Sequence, residues 1–136
     1  MTLETASQQI NQPEVVAEIA AVFAAYEAAL IANDADTLDS AFWDSEQVVR
    51  YGVNECLYGL AEIREWRLTA TPIPPGRAIG PTVITTFGRD FACINTEFRN
   101  PGSQIVGRQT QTWVRLTEGW RIVSAHVSIL RPPVAG

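Results

Sequence analysis

Residues 104–130 read QIVGRQTQTWVRL, TEG and WRIVSAHVSIL in order, and their pattern is the clearest indication of the fold class. Polar and apolar residues alternate along its first and last segments, which is the period of a β-strand. The triplet Thr117-Glu118-Gly119 between them is typical of a tight turn. The stretch therefore predicts two long antiparallel strands, over 104–116 and 120–130, joined as a hairpin.

Two further strands and a proline-rich loop precede this hairpin. The same period predicts strands over 82–87 and 91–99, with turns at 88–90 and 100–103. Residues 71–81 contain four prolines and two glycines, so we predict a loop there. The second half of the chain is thus expected to form an antiparallel meander.

The first half of the chain has helical periodicity instead. The apolar side chains between residues 14 and 31 recur every three or four positions, at Val16, Ile19, Phe23, Tyr26 and Leu30. Two shorter helices are predicted over 35–42 and 60–70, with a strand over 46–53 between them. We expect an α+β fold, with about three N-terminal helices packed on a strongly curved mixed or antiparallel sheet that encloses a pocket. One domain should cover 13–131, between tails at 1–12 and 132–136.

The charged residues exclude several classes of function. Fifteen acidic and ten basic residues give a net charge of -5 without any basic run, which argues against a nucleic-acid or anionic membrane surface. All ten basic residues are arginine, so lysine Schiff-base chemistry is excluded and any fixed cation in a pocket is a guanidinium group. An arginine-rich genome is the alternative explanation of this bias.

The cysteine and histidine content predicts a site without a metal ion or cofactor. Cys56 and Cys93 are far apart and form no CxxC pair, and His126 is the single histidine. The chain also has no glycine-rich phosphate loop. We find no apolar run close to the ~20 residues that span a bilayer and no secretory signal, so we expect a cytoplasmic protein.

The order of these elements resembles the nuclear transport factor 2-like, or polyketide-cyclase-like, superfamily. The motifs that carry the resemblance cover residues 14–130. They are Tyr26-Glu27-Ala28-Ala29-Leu30, Asn33-Asp34-Ala35-Asp36, Phe42-Trp43, Tyr58-Gly59 before Ile63, Gly119-Trp120-Arg121-Ile122-Val123 and His126-Val127-Ser128. The resemblance implies a cone-shaped fold with one small pocket.

Four other runs resemble one small bacterial subfamily within that superfamily. They are Phe42-Trp43-Asp44-Ser45, Val49-Arg50-Tyr51-Gly52, Thr85-Thr86-Phe87-Gly88-Arg89-Asp90 and Gly107-Arg108-Gln109-Thr110-Gln111-Thr112-Trp113. The subfamily includes a decarboxylating amidohydrolase of cyanuric acid (s-triazine) catabolism, which converts 1,3-dicarboxyurea to allophanate. The resemblance implies a cofactor-free hydrolase that acts on a small carboxylated urea or amide.

Arg50 and Tyr26 are the candidates for catalysis. Arg50 lies on the expected inward face of a strand, where a buried cation needs an anion. That anion is either a ligand carboxylate or the side chain of Glu27, Glu55 or Glu97. Tyr26 lies on the inward face of the first helix, where it is either a core aromatic residue or a proton carrier. A guanidinium group beside it is expected to lower its pKa.

Five residues are candidates for substrate binding. Gln109 and Gln111 share a strand face with Trp113, and two amides on an inward face suit a polar, urea-like ligand. On an outward face they would be ordinary surface residues. Trp43 and Arg67 are candidate wall residues, and the alternative for Arg67 is a solvated helix face.

His126 is an obvious candidate for a general base. It alternates in step with Ile122 and Ser124, and pairing around the turn at 117–119 places it opposite Thr110. That register turns it away from Gln111, so we predict a structural or dimer-interface position for His126. A one-residue bulge would reverse this prediction.

Two functions remain open at this point. In the first, an enzyme, Arg50 holds a substrate carboxylate and Tyr26 passes a proton to the leaving nitrogen. In the second, the same fold is a non-catalytic module for carboxylate binding or oligomerisation. Both lead us to expect a homodimer, because the convex sheet face, with Val123 and Val127 or the alternate set, is too apolar for a monomer to expose.

Overall fold

The computed structural model describes residues 9–132, which form three helices and six strands. The helices are α1 (Pro13–Ala32), α2 (Ala35–Ser40) and α3 (Leu60–Thr69). The strands are β1 (Val49–Tyr51), β2 (Cys56–Tyr58), β3 (Ala78–Phe87), β4 (Phe91–Arg99), β5 (Val106–Leu116) and β6 (Gly119–Leu130). The predicted α+β fold class is confirmed.

The six strands form one curved, unclosed sheet in the order β2-β1-β6-β5-β4-β3. The neighbours pair antiparallel, except that β1 pairs parallel to β6. This parallel pair places Arg50 beside Ala125, which is itself opposite Gln111 on β5. Three strands therefore bring their inward side chains together at one level of the concave face.

Helix α1 covers the concave face with one stripe of its side chains. The buried members of this stripe include Val15, Ile19, Phe23, Tyr26 and Leu30. The prediction of Val16 as a core residue was wrong: Val15 and Val16 both lie at helical spacing from Ile19, four and three residues back, but Val15 is buried and Val16 is only half-buried. The helix ends at Asn33, which adopts the left-handed conformation with φ 54°.

The apolar character of α1 corrects the expectation that no segment of the chain is long and apolar enough to span a bilayer. An 18-residue window of this 20-residue helix has a mean hydropathy of 1.9, so by length and composition alone it could cross a membrane. In the structure its apolar stripe instead packs against the sheet. The core helix of a folded domain passes the same test, and this one carries three glutamates, Glu14, Glu18 and Glu27.

The chain enters β3 earlier than predicted. The predicted loop over 71–81 ends at residue 77, and β3 begins at Ala78 and carries an irregularity between Ile79 and Thr82. Pro81 lies inside that irregularity on an edge strand, where the missing N–H group interrupts no ladder. The proline content was therefore a sign of a bulged edge strand as well as of a loop.

The predicted tails fall partly outside the described residues. Residues 1–8 and 133–136 lie outside the described range. Residues 9–11, within the predicted N-terminal tail, are hydrogen-bonded to the end of β3. The side chain of Asn11 accepts from the backbone N–H of Thr86, and its own N–H donates to the Thr86 carbonyl.

The hairpin β5–β6 combines a short turn with a bulge. Leu116 pairs with Gly119, so the turn has one residue fewer than predicted, and Val123 is an extra residue between two paired levels. Because these two departures offset each other, His126 lies opposite Thr110 as predicted. The bulge also separates Ile122, which is buried, from His126, which is exposed, so the predicted shared face of those two residues was wrong.

Candidate functional site

A cavity of about 290 Å³ lies between α1, the sheet and the segment that leads from α3 to β3. Strands β1, β4, β5 and β6 contribute its floor, and α1 and the start of α2 contribute one wall. The cavity combines apolar walls with buried charged groups, which is typical of small-molecule sites.

One end of the cavity gathers two guanidinium groups around one indole ring. Arg50 stacks on Trp66 with its Cζ atom 4.0 Å from the ring centroid, and the Cζ atom of Arg67 lies 5.3 Å from the same centroid. Tyr26 and Gln111 complete this end. We call these five residues the Arg67 end of the cavity.

Arg50 has a protein partner as well as a position on the cavity. Its Nη1 atom donates to Glu55 Oε1 at 2.8 Å, and the two side chains are 13% and 23% exposed. Of the three acidic partners that the sequence left open, the structure selects Glu55. The guanidinium group lines the cavity and Glu55 does not, so the positive side of the pair is the one presented to a ligand.

Arg67 has one nitrogen without a partner. Its Nε atom donates to Asp39 on α2, and its side chain is only 10% exposed, so the alternative of a solvated helix face is wrong. The Nη2 atom is buried and has no hydrogen-bond partner among the described residues. Since a buried, unpaired charged donor is costly, an acceptor on a bound ligand is the group that would satisfy it.

Tyr26 is buried against two other aromatic rings. Its ring meets Trp113 edge-on at 5.9 Å and Phe42 at 6.4 Å. Burial raises the pKa of Tyr26 above 10.0, although Arg67 and Arg50 act in the opposite direction. The expected lowering of its pKa was therefore wrong, because the loss of hydration outweighs the nearby cations. Tyr26 therefore keeps its hydroxyl proton and is a weaker acid than a solvated tyrosine, so it can give that proton only to a strongly basic group.

The two glutamines face inward as predicted, and Trp113 lies behind them. Gln111 accepts a hydrogen bond from Trp113 Nε1 at 2.9 Å through its Oε1 atom, and Gln109 donates to Glu27 at 3.2 Å. Both amides line the cavity, whereas Trp113 is buried in the core and does not. The indole fixes the amide of Gln111 so that its NH₂ group is left for a ligand.

The structure also places three further residues that the sequence analysis named. Trp43 packs against the core outside the cavity, and its backbone N–H group donates to the backbone carbonyl of Ile122. His126 is exposed on the convex face, where it meets the ring of Tyr51 at 5.6 Å. Val127 lines the cavity, so of the two sets that the sequence left open for the convex face, the structure selects the alternate set to Val127.

The opposite end of the cavity was missed by sequence reasoning. It consists of Arg77, Phe98 and Asn100, which we call the Asn100 end. Arg77 stacks on Phe98 at 4.0 Å and donates twice to Glu27, from Nε at 3.2 Å and from Nη2 at 3.3 Å. The Oδ1 atom of Asn100 is buried and has no partner among the described residues. Glu27 was the available signal, because an acidic residue next to Tyr26 on the buried stripe requires a cation.

The segment between α3 and β3 is attached to α1 at two points. The side-chain amide of Asn33 forms two hydrogen bonds with the backbone of Ile73, at 3.2 Å and 2.8 Å. The ion pair of Arg77 with Glu27 holds the other end of the segment. The wall that it forms is therefore fixed on both sides.

Within residues 9–132 no three His, Cys, Asp or Glu side chains form a group that could hold a metal ion.

A helix against a curved six-stranded sheet, with a polar cavity between them, is the nuclear transport factor 2-like fold. A protein of that superfamily from Salmonella enterica superposes with a TM-score of 0.70 at 21% identity, covering 90% of this chain and 94% of its own. The family model described as AtzH-like matches residues 8–133. The chain belongs to the AtzH-like family.

Two solved structures are much more similar to this chain. A protein of unknown function from Pectobacterium atrosepticum is 50% identical, with a TM-score of 0.87, and the match covers 90% of this chain and 96% of that one. A cystatin-like fold protein from Burkholderia xenovorans is 45% identical, with a TM-score of 0.88 and coverages of 91% and 98%. A comparison with curated proteins finds no match.

Proposed function

We propose that the protein is a cofactor-free, decarboxylating amidohydrolase that acts on a small carboxylated urea or amide, of the type that converts 1,3-dicarboxyurea to allophanate. The observation that carries this proposal is the unpartnered Nη2 atom of Arg67, a buried cationic donor in the same cavity as the protonated hydroxyl of Tyr26. A carboxylate satisfies the first group, and a leaving nitrogen accepts a proton from the second.

Three side chains of the Arg67 end would hold the substrate. Its carboxylate accepts from Arg67 Nη2, and the guanidinium group of Arg50 adds a second positive charge. The NH₂ group of Gln111 donates to the carbonyl oxygen of the urea or amide. These contacts would fix the plane of the substrate and leave its carboxylated nitrogen beside Tyr26.

The chemical step then needs one proton. The bond between the carboxyl carbon and nitrogen breaks, its electron pair stays on nitrogen, and the carboxyl group leaves as carbon dioxide. Nitrogen takes the proton of Tyr26, and the phenolate recovers a proton from water. The hydroxide left behind combines with carbon dioxide to give bicarbonate, so the net reaction is hydrolysis. Arg67 and Arg50, which favour the charged form of Tyr26, stabilise the transient phenolate.

The second candidate is a non-catalytic module that binds a small carboxylate. It is favoured by the ion pairs of Arg50 with Glu55 and of Arg67 with Asp39, because each cation already has a carboxylate beside it. In that case Tyr26 would be a core aromatic residue, and its hydroxyl would have no effect on any reaction. The homodimer remains a prediction under both functions.

A carbon-13 NMR time course with freshly generated 1,3-dicarboxyurea separates the two functions. We expect the wild-type protein to accelerate loss of the carboxyl carbon, and Tyr26→Phe and Arg50→Ala to lose about 10²–10⁴-fold in rate while remaining folded. His126→Ala, on the convex face, is the matched control and should retain the wild-type rate. A wild-type rate equal to the uncatalysed one, or a fully active Tyr26→Phe, would overturn the proposed function.

A further inference from the structure

The two ends of the cavity leave opposite kinds of polar group unsatisfied. At the Arg67 end the buried atom without a partner is a donor, Nη2 of Arg67. At the Asn100 end it is an acceptor, Oδ1 of Asn100. Buried polar groups in folded proteins are almost always paired, so two such atoms, on two residues that line one cavity, indicate a ligand that has an acceptor at one end and a donor at the other.

The strand register sets the distance between these ends. Gln111 belongs to the Arg67 end, and Phe98 of the Asn100 end pairs with Gly107, four residues further along β5. At about 3.3 Å per residue the two levels are ~13 Å apart. A doubly carboxylated urea is shorter than this, so it would occupy the Arg67 end and leave the Asn100 end empty.

The wall between the two ends is mainly apolar, and the amide of Gln109, which also lies on it, already donates to Glu27. Val127 on β6 lies opposite Gln109, halfway between the two levels, and Leu30 and Ile73 line the cavity as well. A ligand that reaches both ends would therefore pass an apolar middle section against these side chains.

Arg77 does not make the Asn100 end cationic. Two of its nitrogens donate to the two carboxylate oxygens of Glu27, and both side chains are almost fully buried. Gln109 donates to the same carboxylate. With the charge of Arg77 neutralised, the unsatisfied group at this end is the neutral acceptor on Asn100. A carboxylate there would face a carbonyl oxygen and would be disfavoured.

We propose that the Asn100 end is a specificity subsite for an uncharged N–H or O–H donor, such as a terminal carbamoyl group. The preferred ligand is then a monocarboxylate whose apolar chain, on the order of 10 Å long, ends in that donor. This inference rests on the proposed function for the place of the carboxylate, and it extends the substrate beyond the small urea that fills only the Arg67 end.

Three inert ligands of equal length test the subsite by titration calorimetry. They are an ω-ureido carboxylate, the straight-chain fatty acid and the α,ω-dicarboxylate. We expect the wild-type protein to bind the ureido acid about tenfold more tightly than either of the others. Asn100→Leu should abolish this preference and leave fatty acid affinity unchanged, whereas Arg67→Gln should weaken all three ligands. Circular dichroism checks that each variant is folded.

Asn100→Asp is the control for a change in the turn that begins at Asn100, which could alter ligand binding indirectly. The aspartate keeps the size and the acceptor, so the preference for the ureido acid should persist and the dicarboxylate should bind still more weakly. A preference that survives in Asn100→Leu, a dicarboxylate that binds best, or no binding of any of the three would overturn the subsite. These outcomes are independent of the NMR assay, because ligand preference is measured without turnover and turnover of the small urea does not involve Asn100.

Discussion

The two ends of the cavity contain buried arginine–carboxylate pairs that differ in how completely they are paired. At the Asn100 end, Arg77 and Glu27 share two hydrogen bonds, and their side chains are 3% and 5% exposed. At the Arg67 end, Arg67 gives Asp39 a single hydrogen bond and keeps a second nitrogen unpaired. Both cations line the same cavity, so their position alone does not separate their roles.

This difference in pairing indicates that Arg77 stabilises the fold and that Arg67 is available to a ligand. A bidentate pair whose carboxylate also accepts from Gln109 has little capacity left, and its main effect is to join α1 to the segment that precedes β3. The singly bonded pair keeps a donor for a ligand. Three changes to the chain test this division, in order of the expected size of their effect.

Glu27→Gln should have the largest effect, because it leaves the charge of Arg77 buried without a counter-charge. We expect the free energy of unfolding to fall by about 3–5 kcal/mol, measured by urea denaturation. Glu14→Gln is the matched control on the same helix, since the pair of Glu14 with Arg89 is 62% exposed on both sides and should contribute less than about 1 kcal/mol. Equal effects of the two changes would contradict the structural role of Glu27.

Gly107→Ala should disturb the Asn100 end alone. A Cβ atom at this position would lie 2.1 Å from the Phe98 ring, which stacks on Arg77, so the ring has to move. We expect a loss of about 1–3 kcal/mol in denaturation experiments, with turnover of the small urea retained. Adding Phe98→Leu to this variant should restore part of the loss, and strictly additive effects would show that the contact does not matter.

The smallest effect concerns Tyr26 and is confined to alkaline solution. Because burial raises its pKa in the folded protein above the unfolded value of 10.0, the folded state holds this proton more tightly. The resulting stability is fully present below pH 10.0 and is lost as the pH rises through the pKa of the folded protein. Denaturation curves at rising pH should therefore fall more steeply for the wild-type protein than for Tyr26→Phe. Parallel curves would place the hydroxyl in a solvated position.

The periodic parts of the fold were predictable from the sequence. Alternation with a period of two located strands β4, β5 and β6 to within two residues, and it placed Gln109 and Gln111 on one face. Helical spacing gave four of the five core positions named for α1. These patterns are informative because each residue is constrained by the same neighbouring layer over many turns or pleats.

The contents of the cavity were less predictable. Arg77 and Asn100 lie where the chain has no period, one in a proline-rich segment and one in a turn, so nothing local indicates that they meet across the cavity. The pKa shift of Tyr26 had the opposite sign to the prediction, because its burial depends on Phe42 and Trp113, which are distant in sequence. In general, a site built from several separate segments is hard to predict, because its residues meet only in the folded structure.

The extra residue in β6 has a consequence for how this domain could change by deletion. Removing Val123 would leave Trp113 opposite Ile122 and Thr112 opposite Ser124, so every later partner would stay the same. The side chains would keep their faces, and the ladder would become regular. A bulge bends its strand and increases the local twist, so the quantity that such a deletion changes is the curvature of the sheet. In this domain one codon can therefore act on the width of the cavity without altering a single residue that lines it.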